Sequence, residues 1–358
     1  MKKTILVLCS VILLVGSVFA CTSLRIKTTD GYVFYARTME GEVSPVSAVS
    51  IIPAGTKYQG TLPDGASEGL KWTTKYGFVG MNAEGMPLLS DGMNEKGLVA
   101  GNLLFPGFAG YQTFEKSKAD ITIAQYEVLT WILSNFATVN EAREGIKKVR
   151  VCKGPEALTG PLPLHYVIHD PKGNCLVVEY VKGELKVYDN PIGVMTNSPA
   201  FDWHLINLCN FINLSAVNIP DIKFKGMTID GLGQGTGMLG LPGDYTPPSR
   251  FIRMVALTQS AQPVTGPVDG LNLAMTIINN IEIPVGAVID KEGNKTLYDR
   301  TWWVTIGDTG RLRYYFHTYT NKNWQYVDLM KALKDAKAVR IIKLDIPTEY
   351  KDITDQAN

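Results

Sequence analysis

One junction constrains this chain more than any other feature: Val18-Phe19-Ala20-Cys21, followed directly by Thr22-Ser23. Upstream lie Lys2-Lys3, an apolar run from Ile5 to Val15 and small residues ending at Ala20, the three parts of a secretory signal. A cut after Ala20 would leave a thiol and a free α-amine on one residue, Cys21. The expectation is an exported protein, periplasmic or secreted, with residues 1–20 removed and residues 21–358 forming one domain. Two rival readings exist. A retained membrane anchor is compatible with the lack of charge between Lys3 and Arg25, but the span is short and weakly flanked, so no membrane span is expected after signal removal. A lipoprotein would also place Cys after the cut, although Phe19 is bulky where lipoproteins carry a small residue.

Composition agrees with a folded domain of this size. Apolar residues make up 45 % and charged residues 19 %, a normal balance for a sizeable core. Lys plus Arg number 35 against 34 Asp plus Glu, a net charge of +1, and no basic stretch resembles a nucleic-acid footprint. Cys9 leaves with the signal; Cys21, Cys152, Cys175 and Cys209 stay, irregularly spaced and without a CxxC pair. Four cysteines in an exported chain allow disulfides, yet a chain this long does not need them. Cys175 and Cys209, set among Leu, Val and Phe, read as buried thiols.

Thr22 to Thr28 alternates apolar and polar residues, Asp30-Gly31 follows, and Tyr32 to Thr38 continues extended, which is a hairpin signal. A two-residue turn there sets Cys21 opposite Glu40 and Arg37 opposite Leu24. Further strands are expected at Val46–Ile52, Tyr76–Met81, Pro87–Ser90 and Leu98–Leu104. Helical spacing runs from Ile121 to Phe136 and from Asn140 to Val149. Strand character returns at His165–Ile168, Cys175–Val181 and Leu185–Tyr188; helices are expected at Asp202–Leu214, Ser249–Ser260 and Leu271–Ile281. Strands Trp302–Ile306 and Leu312–Thr318, a short helix at Asp328–Lys334 and a strand Val339–Leu344 complete the chain. Blocks of strands alternating with paired helices indicate an α+β fold, with two antiparallel sheets between helix layers.

Several motifs fail on context. Gly235, Gly237 and Gly240 match a dinucleotide spacing, but no strand precedes them, and Pro242, Pro247 and Pro248 follow; residues 231–248 read as a surface loop. His165 and His169 fall on a strand, about 13 Å apart along one face, too far to chelate. With His204 and His317 the only other histidines, no metal and no cofactor are expected. A papain-like pairing of one of these histidines with a cysteine stays open. The N-terminal thiol is the more economical nucleophile. Thiols ionise near 8.5 and α-amines near about 7.7–8.0, so the amine of Cys21 can take its own thiol's proton directly or through one water. Arg37 would favour the thiolate, and Glu40 would hold the amine.

Cys21-Thr22, Asp30-Gly31 and Arg37-Thr38-Met39-Glu40 resemble the opening of the choloylglycine hydrolase family, which contains conjugated bile acid hydrolases and penicillin V acylases. The resemblance continues in Asp91-Gly-Met-Asn-Glu-Lys-Gly97-Leu98, Leu104-Phe-Pro-Gly107, Leu164-His165, Val194-Met-Thr-Asn197-Ser-Pro199, and Leu241-Pro-Gly-Asp244 before Ser249-Arg250-Phe251. It implies an N-terminal-nucleophile amidase with a four-layer αββα sandwich, often a tetramer. It implies Cys21 as nucleophile and Arg37 beside the thiol, with a bulge or bend in the hairpin. Glu40 stands where many members carry Asp, Asn197 matches the oxyanion-hole amide, and Arg250 matches the second arginine, whose plainer reading is a salt bridge at a helix start. A second oxyanion donor is a backbone N–H at a position where bile acid hydrolases carry Asn and penicillin acylases Tyr; either Asn102 or Leu104 falls there.

The activity so implied is hydrolysis of a linear amide between an apolar acyl group and a small amine-bearing head. Substrates in order are conjugated bile acids, penicillin V and long-chain N-acyl homoserine lactones. Phe105, Phe108, Tyr111, Met238 and Leu239 are expected in loops at the mouth of the site. The competing reading is a non-catalytic lipoprotein on the same fold, in which acylation of Cys21 removes the base.

Overall fold

A computed structural model describes residues 20–42, 44, 46–64, 68–82, 89–155 and 162–356. The expected signal segment up to Phe19, with Cys9, and Pro87 at the start of one expected strand lie outside the described residues.

The opening hairpin pairs β1 (Cys21–Lys27) with β2 (Val33–Gly41). Its turn has three central residues, not two: the N–H of Thr28 donates to the Tyr32 carbonyl at 2.9 Å and that of Gly31 to the Thr28 carbonyl at 3.1 Å. Gly31 supplies the left-handed backbone, φ +94°, that ends such a loop. The added residue shifts the register by one, so Cys21 pairs with Met39 and Ser23 with Arg37. This corrects the expected pairings of Cys21 with Glu40 and Arg37 with Leu24. A one-residue slip exchanges the faces of a strand, so Arg37 and Met39 share the face of Cys21 without the expected bulge. The sheet's bulge lies one strand over, between Thr301 and Trp303.

The other main strands are β3 (Ala48–Ile52), β4 (Phe78–Asn82), β5 (Leu89–Asn94), β6 (Val99–Leu104), β7 (Leu164–His169), β8 (Cys175–Val181), β9 (Glu184–Asp189), β10 (Arg300–Asp308), β11 (Arg313–Thr318), β12 (Gln325–Asp328) and β13 (Arg340–Lys343). They form a five-stranded sheet, β1-β2-β10-β11-β12, and an eight-stranded sheet, β9-β8-β7-β6-β5-β4-β3-β13. All the pairings within them are antiparallel. Alternation along the larger sheet feeds two cores: Val167 and Val177 enter the core shared with the smaller sheet, while Tyr166, Ile168, Leu176 and Val178 enter a second core beneath the helices α1 (Val128–Asn135) and α2 (Val139–Ile146). The outer face of the smaller sheet carries α4 (Pro247–Ser260) and α5 (Pro267–Ile278), reached after α3 (Phe201–Asn207); a short α6 (Leu329–Leu333) follows β12. The layers run helix, sheet, sheet, helix, the expected αββα sandwich.

Two element boundaries differ for physical reasons. The helix expected from Ile121 begins only at Val128, because Thr122–Ala124 is a strand and Glu127 spends its carboxylate on the N–H groups of Ala124 (2.8 Å) and Thr61 (3.0 Å). The helix expected from Ser249 begins at Pro247, since proline suits the first helical turn, where its missing N–H is not needed. Residues 231–246 are loop apart from one short turn at Thr236–Met238, as expected. Three small ribbons went unforeseen: Lys57–Thr61 with Glu68–Thr73, Ile222–Phe224 with Met227–Ile229, and Ile289–Glu292 with Lys295–Tyr298.

Candidate active site

Cys21 begins β1 and is 1 % exposed. Its side chain points between the sheets, where Arg37 Nη2 donates to Sγ at 3.2 Å and Met39 Sδ lies 3.6 Å away. The position of Arg37 follows from a gap in the larger sheet. Pairing of β5 with β6 stops at Asp91 opposite Gly101. Beyond it the strands part, and the guanidinium spans them, donating from Nη1 to the Ser90 carbonyl (2.5 Å) and from Nη2 to the Asn102 carbonyl (2.7 Å). Gly101 makes room for this: a methyl there would meet the Tyr35 hydroxyl and stand 3.5 Å from Arg37 Cδ. The Trp303 ring packs 5.0 Å from the guanidinium carbon. The buried carboxyl of Asp91, bonded by Tyr314 and by Thr305 at 3.2 Å, supplies a nearby counter-charge.

The other side of β1 meets α4. Arg250, fully buried, donates from Nε to the Tyr245 carbonyl (2.8 Å), from Nη1 to the Cys21 carbonyl (2.6 Å) and to the Thr22 hydroxyl, and from Nη2 to Asn197 Oδ1 (2.8 Å). Its contacts are carbonyl, hydroxyl and amide oxygens rather than the salt bridge of the plainer reading. Asn197 Oδ1 also accepts the Cys21 N–H at 2.8 Å, and its Nδ2 donates to the Leu104 carbonyl at 2.8 Å. An amide nitrogen carries two hydrogens, so one N–H of Asn197 remains beyond that bond.

Burial sets the charges. It pushes the Cys21 thiol above its ordinary value; Arg37 and Arg250 pull the other way and Glu40 adds to the rise. The expected thiolate-favouring effect of Arg37 is therefore present but outweighed in a chain where Cys21 is still joined to Ala20. Burial also raises Glu40 to about 8, against the pull of Arg250, and Asp299 to about 6. Glu40 does not hold the Cys21 nitrogen as expected. The register turns its side chain to the opposite face from Sγ, where Oε1 accepts from Thr301 at 3.4 Å, and its backbone N–H donates to the Ala20 carbonyl at 2.8 Å. A cavity of about 590 Å³ opens beside Ala20, lined by Asn197, Arg250, Asp244, Asp290 and Asp299 among others.

The expected site residues thus gather from β1, β2, β6, α4 and the segment before α3. Asn102 and Leu104 both take part through their carbonyls, on Arg37 and Asn197, and Asn102 Nδ2 donates to the Leu89 carbonyl at 2.9 Å. Of the expected mouth residues, Phe105 is buried and stacked on His165, Phe108 and Leu239 are exposed, and none of the five lines the cavity. Cys175, not Cys21, is the cysteine near a histidine: its Sγ is 3.6 Å from His169 Nε2, and burial raises the thiol and lowers the imidazole, leaving both neutral. Cys21, Cys152, Cys175 and Cys209 are unpaired, and Cys209 is exposed, contrary to expectation. Sequence reasoning missed Thr22, Met39, Asp91 and Asp299 as members of the site; the first three lie inside the motif blocks and were the available signal.

Comparison with known proteins agrees with this arrangement. The family described as linear amide C–N hydrolases, choloylglycine hydrolase family, matches residues 21–341. A bile salt hydrolase/transferase of Clostridium perfringens is 34 % identical over 330 residues, covering 90 % of this chain and 96 % of that protein. The crystal structure of a variant of the conjugated bile acid hydrolase from Clostridium perfringens superposes with a TM-score of 0.81 at 31 % identity, over 93 % of this chain and 100 % of that one. Penicillin V acylase from Agrobacterium tumefaciens gives 0.74 at 25 %, over 92 % and 94 %. With that likeness running nearly end to end, from Cys21 onward, the chain belongs to the choloylglycine hydrolase family and is a hydrolase of linear amide C–N bonds.

Proposed function

We propose that this chain is an exported cysteine amidase whose nucleophile is Cys21, set free by a cut after Ala20, acting first on conjugated bile acids. The observation that carries the reading is the pair of contacts on one residue: Arg37 on the sulfur at 3.2 Å and Asn197 Oδ1 on the nitrogen at 2.8 Å. The family match also begins at residue 21. In the cut protein the α-amine takes the thiol proton and sulfur attacks the amide carbon. The remaining Asn197 N–H donates to the developing oxyanion, and the C–N bond breaks as the amine returns the proton to the leaving amine. Water then attacks the thioester, gives its proton to the α-amine, and releases the acid and the thiol. Arg250, bonded to the Cys21 carbonyl, fixes the residue that carries both groups.

Bile acids rank first because the relatives of 34 % and 31 % identity carry bile salt and bile acid hydrolase names. Penicillin V is the second reading, favoured by the likeness to penicillin V acylase, and acyl homoserine lactones the third. The protein is proposed to act as a homo-oligomer in the periplasm or outside the cell. The test is a hydrolysis panel of glycocholate, taurocholate, penicillin V and an acyl homoserine lactone, with mass spectrometry of the mature N-terminus. A free Cys21 and a Cys21→Ser variant that folds but loses nearly all hydrolysis are expected; an acylated Cys21 or an active variant would refute the mechanism.

A further inference from the structure

The side chain of Asn197 joins Cys21, Arg250 and Leu104, yet the segment that carries it lies between a single bridge to β1 and the start of α3. The Thr196 and Ser198 hydroxyls on either side donate to the Pro247 (3.0 Å) and Pro106 (2.7 Å) carbonyls, and the Asn197 carbonyl itself meets a histidine one helical turn into α3. His204 Nε2 lies 2.9 Å from the Asn197 carbonyl. A carbonyl only accepts, so Nε2 carries the proton. The ring is fully buried and stacked at 4.6 Å on Phe251, the residue next to Arg250, with Trp203 edge-on at 5.7 Å. Burial lowers its pKa to about 4, which keeps it neutral and a one-proton donor over the working range of most enzymes.

The start of α3 is itself anchored in the larger sheet. Glu179 on β8, fully buried, accepts the Phe201 N–H at 3.0 Å and faces His165 Nδ1 on β7 at 3.1 Å. A carboxylate at the first turn of a helix satisfies one of its open N–H groups and complements its dipole. The chain of contacts therefore runs from His165 and Glu179 to the α3 start, then through His204 to Asn197. It connects the floor of the larger sheet to the amide that touches Cys21.

We propose that His204 is a positioning residue for the amide hydrolysis: its N–H fixes the Asn197 carbonyl and thereby aims the Asn197 side chain at Cys21. The inference rests on Cys21 being the working residue. Two variants separate donation from packing. His204→Phe keeps a ring on Phe251 and loses the N–H; His204→Gln keeps an N–H and loses the ring. Misaiming an oxyanion donor by about 1 Å costs on the order of 10²-fold in rate. The expected result is a kcat about 10- to 100-fold lower for His204→Phe with KM within about twofold, and a smaller loss for His204→Gln. The reverse order, with Phe active and Gln impaired, would mean a packing role and overturn the proposal. Crystal structures of the cut variants give a reading that needs no activity: Asn197 Oδ1 should leave the Cys21 nitrogen in the Phe variant and stay within hydrogen-bond distance in the Gln variant. An unmoved Asn197 in the Phe variant overturns the proposal, and so, should that variant not fold, does a displaced Asn197 in a Gln variant of full kcat. A parent protein inactive on every amide tested, with Asn197 moving as described, would fault the nucleophile reading and leave the positioning intact.

Discussion

The Asn197 side chain joins three parts of the site, since its amide meets the Cys21 nitrogen, Arg250 and the Leu104 carbonyl. Replacing it with Ala removes an acceptor shared by two donors and a candidate oxyanion donor together. The expected loss in kcat is about 10²–10³-fold, measured by steady-state hydrolysis, with the fold retained by circular dichroism; a loss under tenfold would place the oxyanion elsewhere. Glu40 yields a prediction about pH. Its folded pKa, about 8, lies above the ordinary 4.5, so the folded protein binds the proton more tightly than the unfolded chain. That contribution to stability is full below pH 4.5 and is lost as pH rises through 8. Asp299, raised from 3.8 to about 6, acts in the same direction over its own range. A new α-ammonium at Cys21, which is electrostatically coupled to Glu40, would draw the carboxyl back down. Thermal melts from pH 5 to 8.5 are therefore expected to fall more steeply for a chain that retains the segment before Cys21 than for the cut chain. Equal slopes would detach Glu40 from the N-terminus. Cys21 and Arg37 could be read from the chemistry of an N-terminal thiol, whereas Asn197 and Arg250 entered only through the family resemblance; the structure brings all four together. His204 and Asp299 were not legible in the sequence, because an imidazole on a carbonyl or a carboxyl on a cavity wall leaves no local pattern.

At the scale of elements, the hairpin shows where local reading stops. Asp30-Gly31 located the turn correctly, but turn length sets register, and register decides that Arg37 rather than Glu40 faces the thiol. The eight-stranded sheet was readable as strands since its alternation feeds two cores, whereas the helix expected from Ile121 is shortened to begin at Val128, Glu127 bonding the N–H groups of Ala124 and of the distant Thr61. A close approach of the two sheets yields a test of an element. Gly101 on β6 lies against Tyr35 and Arg37 of β2. Gly101→Ala must push the sheets apart or displace the Tyr35 hydroxyl, an overpacking that costs about 1–3 kcal/mol. The expected outcome is a melting temperature lower by several degrees together with a loss of hydrolysis, because parted sheets would draw Arg37 on β2 away from the Ser90 and Asn102 carbonyls of the larger sheet. A variant unchanged in both would show that the approach is slack.

Among the described residues, the stretch between α3 and α4 carries a cluster of exposed apolar side chains. Between α3 and α4 the chain sends out a ribbon, Ile222–Phe224 paired with Met227–Ile229, in which all six residues are exposed. Side chains alternate between the two faces of a strand, so Ile222 and Phe224 face one side with Ile229 and Met227, and nothing from the chain's own core covers them. An isolated two-stranded ribbon is marginal in water, and Ile212, Val217 and Leu232 extend the apolar surface around it. The αββα sandwich was legible because each sheet face declares a core; this arm was not, since its apolar residues enter neither core and so follow no inward pattern. In keeping with the proposed homo-oligomer, the occupant we propose is a second copy of the same chain. No helix among the described residues is long and apolar enough to cross a membrane. Light scattering after size exclusion is expected to show an oligomer for the parent and a monomer for a Phe224→Asp, Met227→Asp double variant. The double variant should keep its kcat within a few-fold, because the ribbon contributes no residue to the cavity at Ala20. A parent that runs as a monomer, or a double variant that remains oligomeric, would assign the arm to another partner; binding of the parent to lipid vesicles, lost in the double variant, would identify that partner as a membrane surface.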